Sequence, residues 1–229
     1  MMKRRIEAVK RDSFTGGVVN VVYSAARWRH LAFLRREAAG VLAALWGEGI
    51  RGVVVGSVAR GDVHRGSDID VFVEAGTPHY MVENALLEGG YTIEEVRIVK
   101  ATPRSGLKIT YHLGGGRNVI LPVSLENAEE EEFPRYAGSI ALGELERGER
   151  VCGVNKRLYF IEPVPEGHRE WFIVGREAEA AARLGVSIGT VLSRVKHRLR
   201  RYRGGRRGLY VDITAPYGRH AVILGRLTG

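Results

Sequence analysis

Asp68 and Asp70 stand one residue apart at the head of an apolar run, Ile69 to Val73, and Gly56-Ser57 ends an earlier run, Val53 to Val55. Side chains alternate along a strand, so the two carboxylates share one face and Ile69 takes the other. Carboxylates this close repel one another unless a cation sits between them. Rigidly held oxygen ligands suit Mg²⁺ (or Mn²⁺), bound through one or two carboxylates together with substrate phosphates. Gly56 allows close backbone approach, and a turn into a short helix at Ser57 aims amide N–H groups at an anion. A phosphate seat facing a metal-binding acid pair is what phosphoryl-group transfer needs. Asp68 and Asp70 are therefore the candidate metal ligands and catalytic carboxylates. Gly56 and Ser57, supplemented by Arg60, are the candidate phosphate-binding residues.

The neighbouring segments read as the scaffold for this pair. Leu31, Leu34, Ala38, Val41, Leu42 and Leu45 recur at helical spacing behind Ser24, a good N-cap, and Gly47 and Gly49 stop the helix before a core strand, Ile50 to Val55. Pro78 to Leu87 is a short helix ended by Gly89-Gly90, and Tyr91 to Lys100 is a third strand. Lys108 to Leu113 and Asn118 to Val123 flank Gly114-Gly115-Gly116, the pattern of an antiparallel hairpin. The three glycines are a turn, because no Lys-Ser/Thr or following helix makes them a phosphate loop.

A Gly-Ser turn followed by Asp-x-Asp on the next strand, with Ala59-Arg60-Gly61 between, resembles the nucleotidyltransferase superfamily of the DNA polymerase β type. The resemblance covers about residues 50 to 74 closely and the surrounding strand–helix–strand pattern more loosely. It implies transfer of a nucleoside monophosphate from an NTP to a hydroxyl acceptor with Mg²⁺ (or Mn²⁺), Gly56 and Ser57 cradling the β- and γ-phosphates. It also implies a third carboxylate on a following strand. Asn118 to Val123 is the place to look and holds no acid; Asn118 has a carbonyl oxygen for a metal but cannot serve as a base. Glu126, at the end of that strand, is the nearest acid, and Glu129 to Glu132 read as a solvated helix face. Binding of NTP with slow turnover is the expectation.

Ala180 to Ala182, Gly185, and then Val186 and Val191 have helix-turn-helix spacing, with Ser187 capping the second helix. The Leu-Gly-Val-Ser segment resembles the helix-turn-helix of sigma factors and other bacterial and archaeal regulators. The order of the two units resembles a group of archaeal proteins with a polymerase-β-type domain. Arg194, Lys196, Arg198, Arg200, Arg201 and Arg203 on the second helix, with Arg206 and Arg207 beyond it, are the candidate nucleic-acid contacts, duplex DNA first among the partners. Leu209 to Thr214 and His220 to Leu224 flank a Pro-Tyr-Gly turn and read as a hairpin, a candidate wing. Such helix pairs also pack homodimers, an alternative the sequence leaves open.

The 229 residues allow one large domain or two modest ones, and the net charge of +9 favours a polyanionic partner. A single cysteine, Cys152, excludes an internal disulfide and gives no zinc-site spacing. No apolar run reaches membrane-spanning length and the charged start is unlike a secretory signal, so a cytoplasmic address without membrane is expected. The reading is an α/β (α+β) chain: an N-terminal extension at 1–24, a polymerase-β-like nucleotidyltransferase domain with a small mixed sheet at 25–125, an acidic connection at 126–165, and a winged helix-turn-helix-like domain with a C-terminal hairpin at 166–229. A DNA-binding regulator whose nucleotidyltransferase fold senses nucleotide is the rival function.

Overall fold

Ser24 begins the scaffold as read from the sequence: its Oγ accepts from the Arg27 amide and caps α1 (Ala25–Gly47), whose buried residues are the six spaced apolar positions from Leu31 to Leu45. The computed structural model of the chain describes residues 17–202 and 208–228. Before α1 lies β1 (Val19–Val22). After it come β2 (Gly52–Val55), the single-turn α2 (Ser57–Arg60), β3 (Ile69–Val73), α3 (His79–Glu88), β4 (Glu95–Lys100), β5 (Leu107–His112) and β6 (Arg117–Pro122). Short α4 (Ala128–Glu131), α5 (Phe133–Ala137), β7 (Ser139–Ile140) and α6 (Leu142–Glu146) follow. The chain then forms β8 (Gly153–Val154), β9 (Tyr159–Val164), β10 (Gly167–Phe172), α7 (Glu177–Leu184), α8 (Ile188–Tyr202), β11 (Val211–Pro216) and α9 (His220–Thr228).

A mixed seven-stranded sheet, ordered β11-β4-β5-β6-β3-β2-β7, carries the candidate site at the head of β3. Its one parallel pair is β3 with β6, which aligns Asp70 with Asn118; β5 and β6 form the expected antiparallel hairpin. α1 and α3 pack on this sheet through Leu42, Leu45, Val82 and Leu86 against Val71, Ile109 and Leu121, a single core with almost no exposed surface. Each such side chain stabilises by about 1.5–3 kcal/mol relative to leaving it in water. The sheet exceeds the small one expected because distant residues extend both edges: β7 joins β2, and β11 joins β4.

β11 corrects the sequence reading. The C-terminal hairpin, and with it the wing, does not form: Val211 to Pro216 pairs antiparallel with β4 instead, and Arg97 on β4 holds Asp212 by two hydrogen bonds of 2.7 and 2.9 Å. The following apolar run is α9 rather than a strand, and buries Leu224 in the first core. A short apolar run does not itself distinguish strand from helix, and the open edge of β4 supplied a pairing partner no local window reveals.

β1, β10, β9 and β8 make a second, four-stranded sheet, so residues 19–22, expected in an extension, pair with residues 167–170. Residues 1–16 of that extension lie outside the described residues. The stretch 126–165, expected as a connection, supplies strands to both sheets. On the second sheet, Phe160 and Trp171 stack at 4.8 Å and share a core with Ala180, Val191 and Val195 of α7 and α8. Gly185, in the left-handed conformation, joins these two helices. No helix among the described residues is long and apolar enough to cross a membrane.

Candidate active site

Gly56 is where the backbone makes the site possible. At φ 80°, ψ −141° it adopts a conformation that L side chains rarely take, and turns β2 into α2. Its N–H is held by the Gly138 carbonyl at 2.9 Å, so β7 fixes the turn from outside the signature. Ser57 donates its Oγ–H to Ser67 Oγ at 3.2 Å, and Ser67 Oγ in turn accepts the His64 amide at 2.9 Å. The loop between the two halves of the signature is thus closed on itself beside the acid pair.

Asp68 is exposed just before β3 and Asp70 is half-buried on it, with Ile69 between them in the core. Both acids, Gly56 and Ser57 line one cleft of about 990 Å³ between the two sheets. The parallel register brings Asn118 to Asp70, and its Nδ2–H donates to Asp70 Oδ1 at 2.9 Å. The Asn118 oxygen is 2.7 Å from His112 Nδ1 and can only accept, which places a proton on that nitrogen. Asn118 therefore occupies the neighbouring-strand position expected for a third acid, presenting a donor to Asp70 where a carboxylate would repel it. Val119, the next residue on β6, is fully buried.

Glu126 cannot make up the difference. β6 runs from Asn118 at the acid pair towards Pro122, about 13 Å at the usual strand rise, and Glu126 lies exposed beyond that far end. Among the described residues no group of three His, Cys, Asp or Glu side chains comes together as a metal-binding set. The donor set consists of Asp68 and Asp70, neither of them ion-paired among the described residues. It suits a single Mg²⁺ that relies on substrate phosphates for further ligands.

Arg60 is buried and already engaged: it pairs with Asp62 at 2.9 Å and donates to the Ala137 carbonyl. Gly61 follows it at φ 95°, and a Cβ there would come within 2.7 Å of Arg150 Cδ. Arg150 spans from this contact to the Gly167 and Val164 carbonyls at 2.8 and 2.7 Å, binding the turn of the second sheet to the signature loop.

The wall formed by the second sheet contains residues the sequence did not single out. Tyr23 Oη lies 2.6 Å from His168 Nδ1, and His168 Nε2 lies 3.3 Å from Glu170. Burial pushes the Tyr23 phenol up to about 12 despite the Arg27 guanidinium over its ring, so it keeps its proton and hydrogen-bonds with Nδ1 as a neutral hydroxyl. His168 and Glu170, at i and i+2 on β10, share a strand face, which is the signal a closer reading of that strand would have used.

α8 is placed differently from an outward-facing recognition helix. Glu132 accepts from the Ser187 amide at 2.9 Å, from Ser187 Oγ at 2.9 Å and from Thr190 Oγ1, pinning the helix start beside α5. These bonds, chiefly that from Thr190, lower the Glu132 pKa. Arg194 and Arg198 face the cleft, whereas Lys196 and Arg200 are exposed on the opposite side. Arg203, Arg206, Arg207 and the side chain of Arg201 lie outside the described residues.

Comparison with known proteins agrees with the site at the level of family. Residues 35–112 match the model of the nucleotidyltransferase domain, a stretch that runs from within α1 to the end of β5 and stops short of Asn118. No curated protein and no solved structure matches the chain. Through residues 35–112, with the Gly56-Ser57 turn and the Asp68–Asp70 pair inside them, the chain carries a nucleotidyltransferase domain of the DNA polymerase β-type superfamily.

Proposed function

We propose that the cleft transfers a nucleoside monophosphate from an NTP to a hydroxyl acceptor, slowly, with one divalent cation held by Asp68 and Asp70. The observation that carries this reading is the convergence of the Gly56–Ser57 turn and the acid pair on one cleft. A cation bound there, Mg²⁺ or Mn²⁺, supplies charge neutralisation at the reacting phosphate. The Gly56–Ser57 backbone receives the phosphate tail, and Asn118 holds Asp70 in one orientation through Oδ1. Arg60, committed to Asp62 and Ala137, supports the turn from beneath rather than reaching the phosphates. Among the described residues no third carboxylate stands beside the pair to take the acceptor proton. Of the carboxylates lining the cleft, Glu170 is outside both the acid pair and the Arg60–Asp62 ion pair, and His168 orients it. General-base help is worth about 10²–10⁴-fold, so its displacement to the opposite wall accounts for slow turnover.

The test is pyrophosphate release from each of the four NTPs with Mn²⁺ or Mg²⁺ and candidate hydroxyl acceptors, comparing wild type with Asp70→Asn and Glu170→Gln. Release that Asp70→Asn leaves intact would sink the reading. A second reading, a DNA-binding regulator that senses nucleotide, draws on Lys196 and Arg200 exposed on the outer side of α8 and on the missing third acid. Two phosphate contacts would give a salt slope near −2, so a shallow slope abolished by Lys196→Ala with Arg200→Ala would favour it.

A further inference from the structure

α8 presents two unlike stripes. Ile188, Leu192, Lys196 and Arg200 are exposed along one side, while Val191 and Val195 are buried in the second core and Arg194 and Arg198 turn towards the cleft. Arg194 lies with its guanidinium 4.5 Å from the centre of the Phe133 ring, and its Nε is buried without a hydrogen-bond partner among the described residues. Burial lowers its pKa, an effect that the charges of Glu129 and Glu130 oppose without pairing with it, and no ion pair of Arg194 occurs among the described residues. A desolvated cation without a directly paired anion is costly to hold, and that cost is relieved when an anion arrives.

The surroundings identify which anion. Phe133 opens α5, which ends at Ala137; Ala137 holds Arg60, and the next residue, Gly138, holds the Gly56 amide. The Tyr136 phenol on the same helix feels the charges of Arg194, Arg198 and Arg60 together. Arg194 and Arg198 thus stand one short helix away from the Gly56–Ser57 turn, in the same cleft as Lys156 and Arg157 from the β8–β9 turn. With Arg60 spent on Asp62, the cation that the signature loop still offers the cleft is the exposed Arg65, and the α8 arginines add to it from the other side.

We propose that Arg194 and Arg198 form a phosphate seat that faces into the cleft, so that the basic helix serves the transfer site rather than a duplex groove. The ligand is a phosphate chain: either the polyphosphate tail of the NTP or the phosphodiester backbone of a single-stranded acceptor. Its assignment to donor or acceptor rests on the transfer reading; the existence of the seat does not. α8 reaches this position because Glu132 pins its first turn.

Calorimetric titration of the full chain with inorganic tripolyphosphate, and separately with a single-stranded oligonucleotide, tests the seat. Arg194→Ala with Arg198→Ala should weaken one of the two by at least about tenfold, the order expected for lost charge-assisted hydrogen bonds. Loss for tripolyphosphate assigns the seat to the donor, and loss for the oligonucleotide alone assigns it to the acceptor. Arg194→Met, which keeps an apolar stem against Phe133, should leave the melting temperature unchanged or higher. Unchanged affinity for both probes, no binding of either by the wild type, or a lower melting temperature in Arg194→Met would overturn the proposal. Arginine-dependent binding of tripolyphosphate without pyrophosphate release from any NTP would leave the seat standing and remove the transfer reading.

Discussion

The Gly56–Asp70 turn and the α7–α8 pair are both short, punctuated by glycine and rich in charge, yet they are held by different forces. In the turn, positions follow from the backbone: a positive φ at Gly56, a strand that alternates Asp68, Ile69 and Asp70, and a parallel neighbour in register. In α8, direction follows from side chains elsewhere, namely the Glu132 carboxylate at its start and the Phe133 ring beneath Arg194. A constellation built on backbone keeps its geometry wherever its strands pair. A charged helix stripe acquires meaning only from the surface on which it lands.

Breaking the backbone-held region should have the larger effect. Asp70→Asn is expected to abolish Mn²⁺ binding in calorimetric titration and to cut pyrophosphate release by about 10³-fold, as loss of the metal's charge stabilisation would. The fold should survive, because removing one of two close carboxylates relieves repulsion. Unaltered Mn²⁺ affinity would sever the pair from metal binding.

Asn118→Asp sharpens the same comparison in the opposite direction. It exchanges the donor beside Asp70 for a carboxylate, so the metal-free melting temperature should fall and recover on adding Mn²⁺. Turnover should rise by up to about 10²-fold as a base appears beside the pair. A variant that neither loses stability without metal nor gains a second Mn²⁺ equivalent would show that Asn118 is not the third-acid position.

Glu132→Ala probes the side-chain-held region. Losing the cap should lower the melting temperature by roughly 2–4 °C at pH 7 and weaken binding at the α8 arginines by up to about tenfold. The native pKa of Glu132 is lowered, so its contribution is fully present above about pH 4.5 and disappears as pH falls through the folded value. The wild type and the variant should therefore converge in stability under acid; a gap that persists there would assign the loss to packing instead.

The smallest effect at neutral pH lies in the tyrosines. Burial pushes Tyr23 and Tyr136 up to about 12, and Tyr111, beside Glu83, is pushed up further. Above pH 10 the unfolded chain loses these protons while the native one retains them, so stability falls with rising pH through 10 to 12. Each phenol costs about 1.4 kcal/mol per pH unit in that window. Alkaline denaturation of Tyr23→Phe should be measurably shallower than that of the wild type.

The half of the molecule around the acid pair was legible because its physics is local. Spaced apolar residues from Leu31 to Leu45, a serine cap, and glycines at Gly56 and Gly61 each carry their own constraint. Even the place of the missing acid could be narrowed to the strand after Gly116, though singling out Asn118 within it required the parallel register. The remainder was hidden for a common reason. β11 pairs with β4 across more than a hundred residues, Glu132 caps a helix 55 residues on, and Tyr23 reaches His168 over 145. Periodicity indicated that 177–202 is two helices around Gly185, but nothing local shows which side of α8 faces Gly56.

The order of the seven strands also bears on how the molecule is made. The stretch matching the nucleotidyltransferase domain ends at residue 112, yet the strands covering the two edges of its sheet come from residues 139–140 and 211–216. During synthesis β4 must therefore wait with an open, pairing-competent edge until more than a hundred further residues have left the ribosome. Such an edge is a template for other chains, and contacts so distant in sequence form slowly. An excised 35–112 fragment would keep the acid pair but lose β6 from between β5 and β3 as well as both edge strands, and would be expected to aggregate rather than to act as a miniature of the whole.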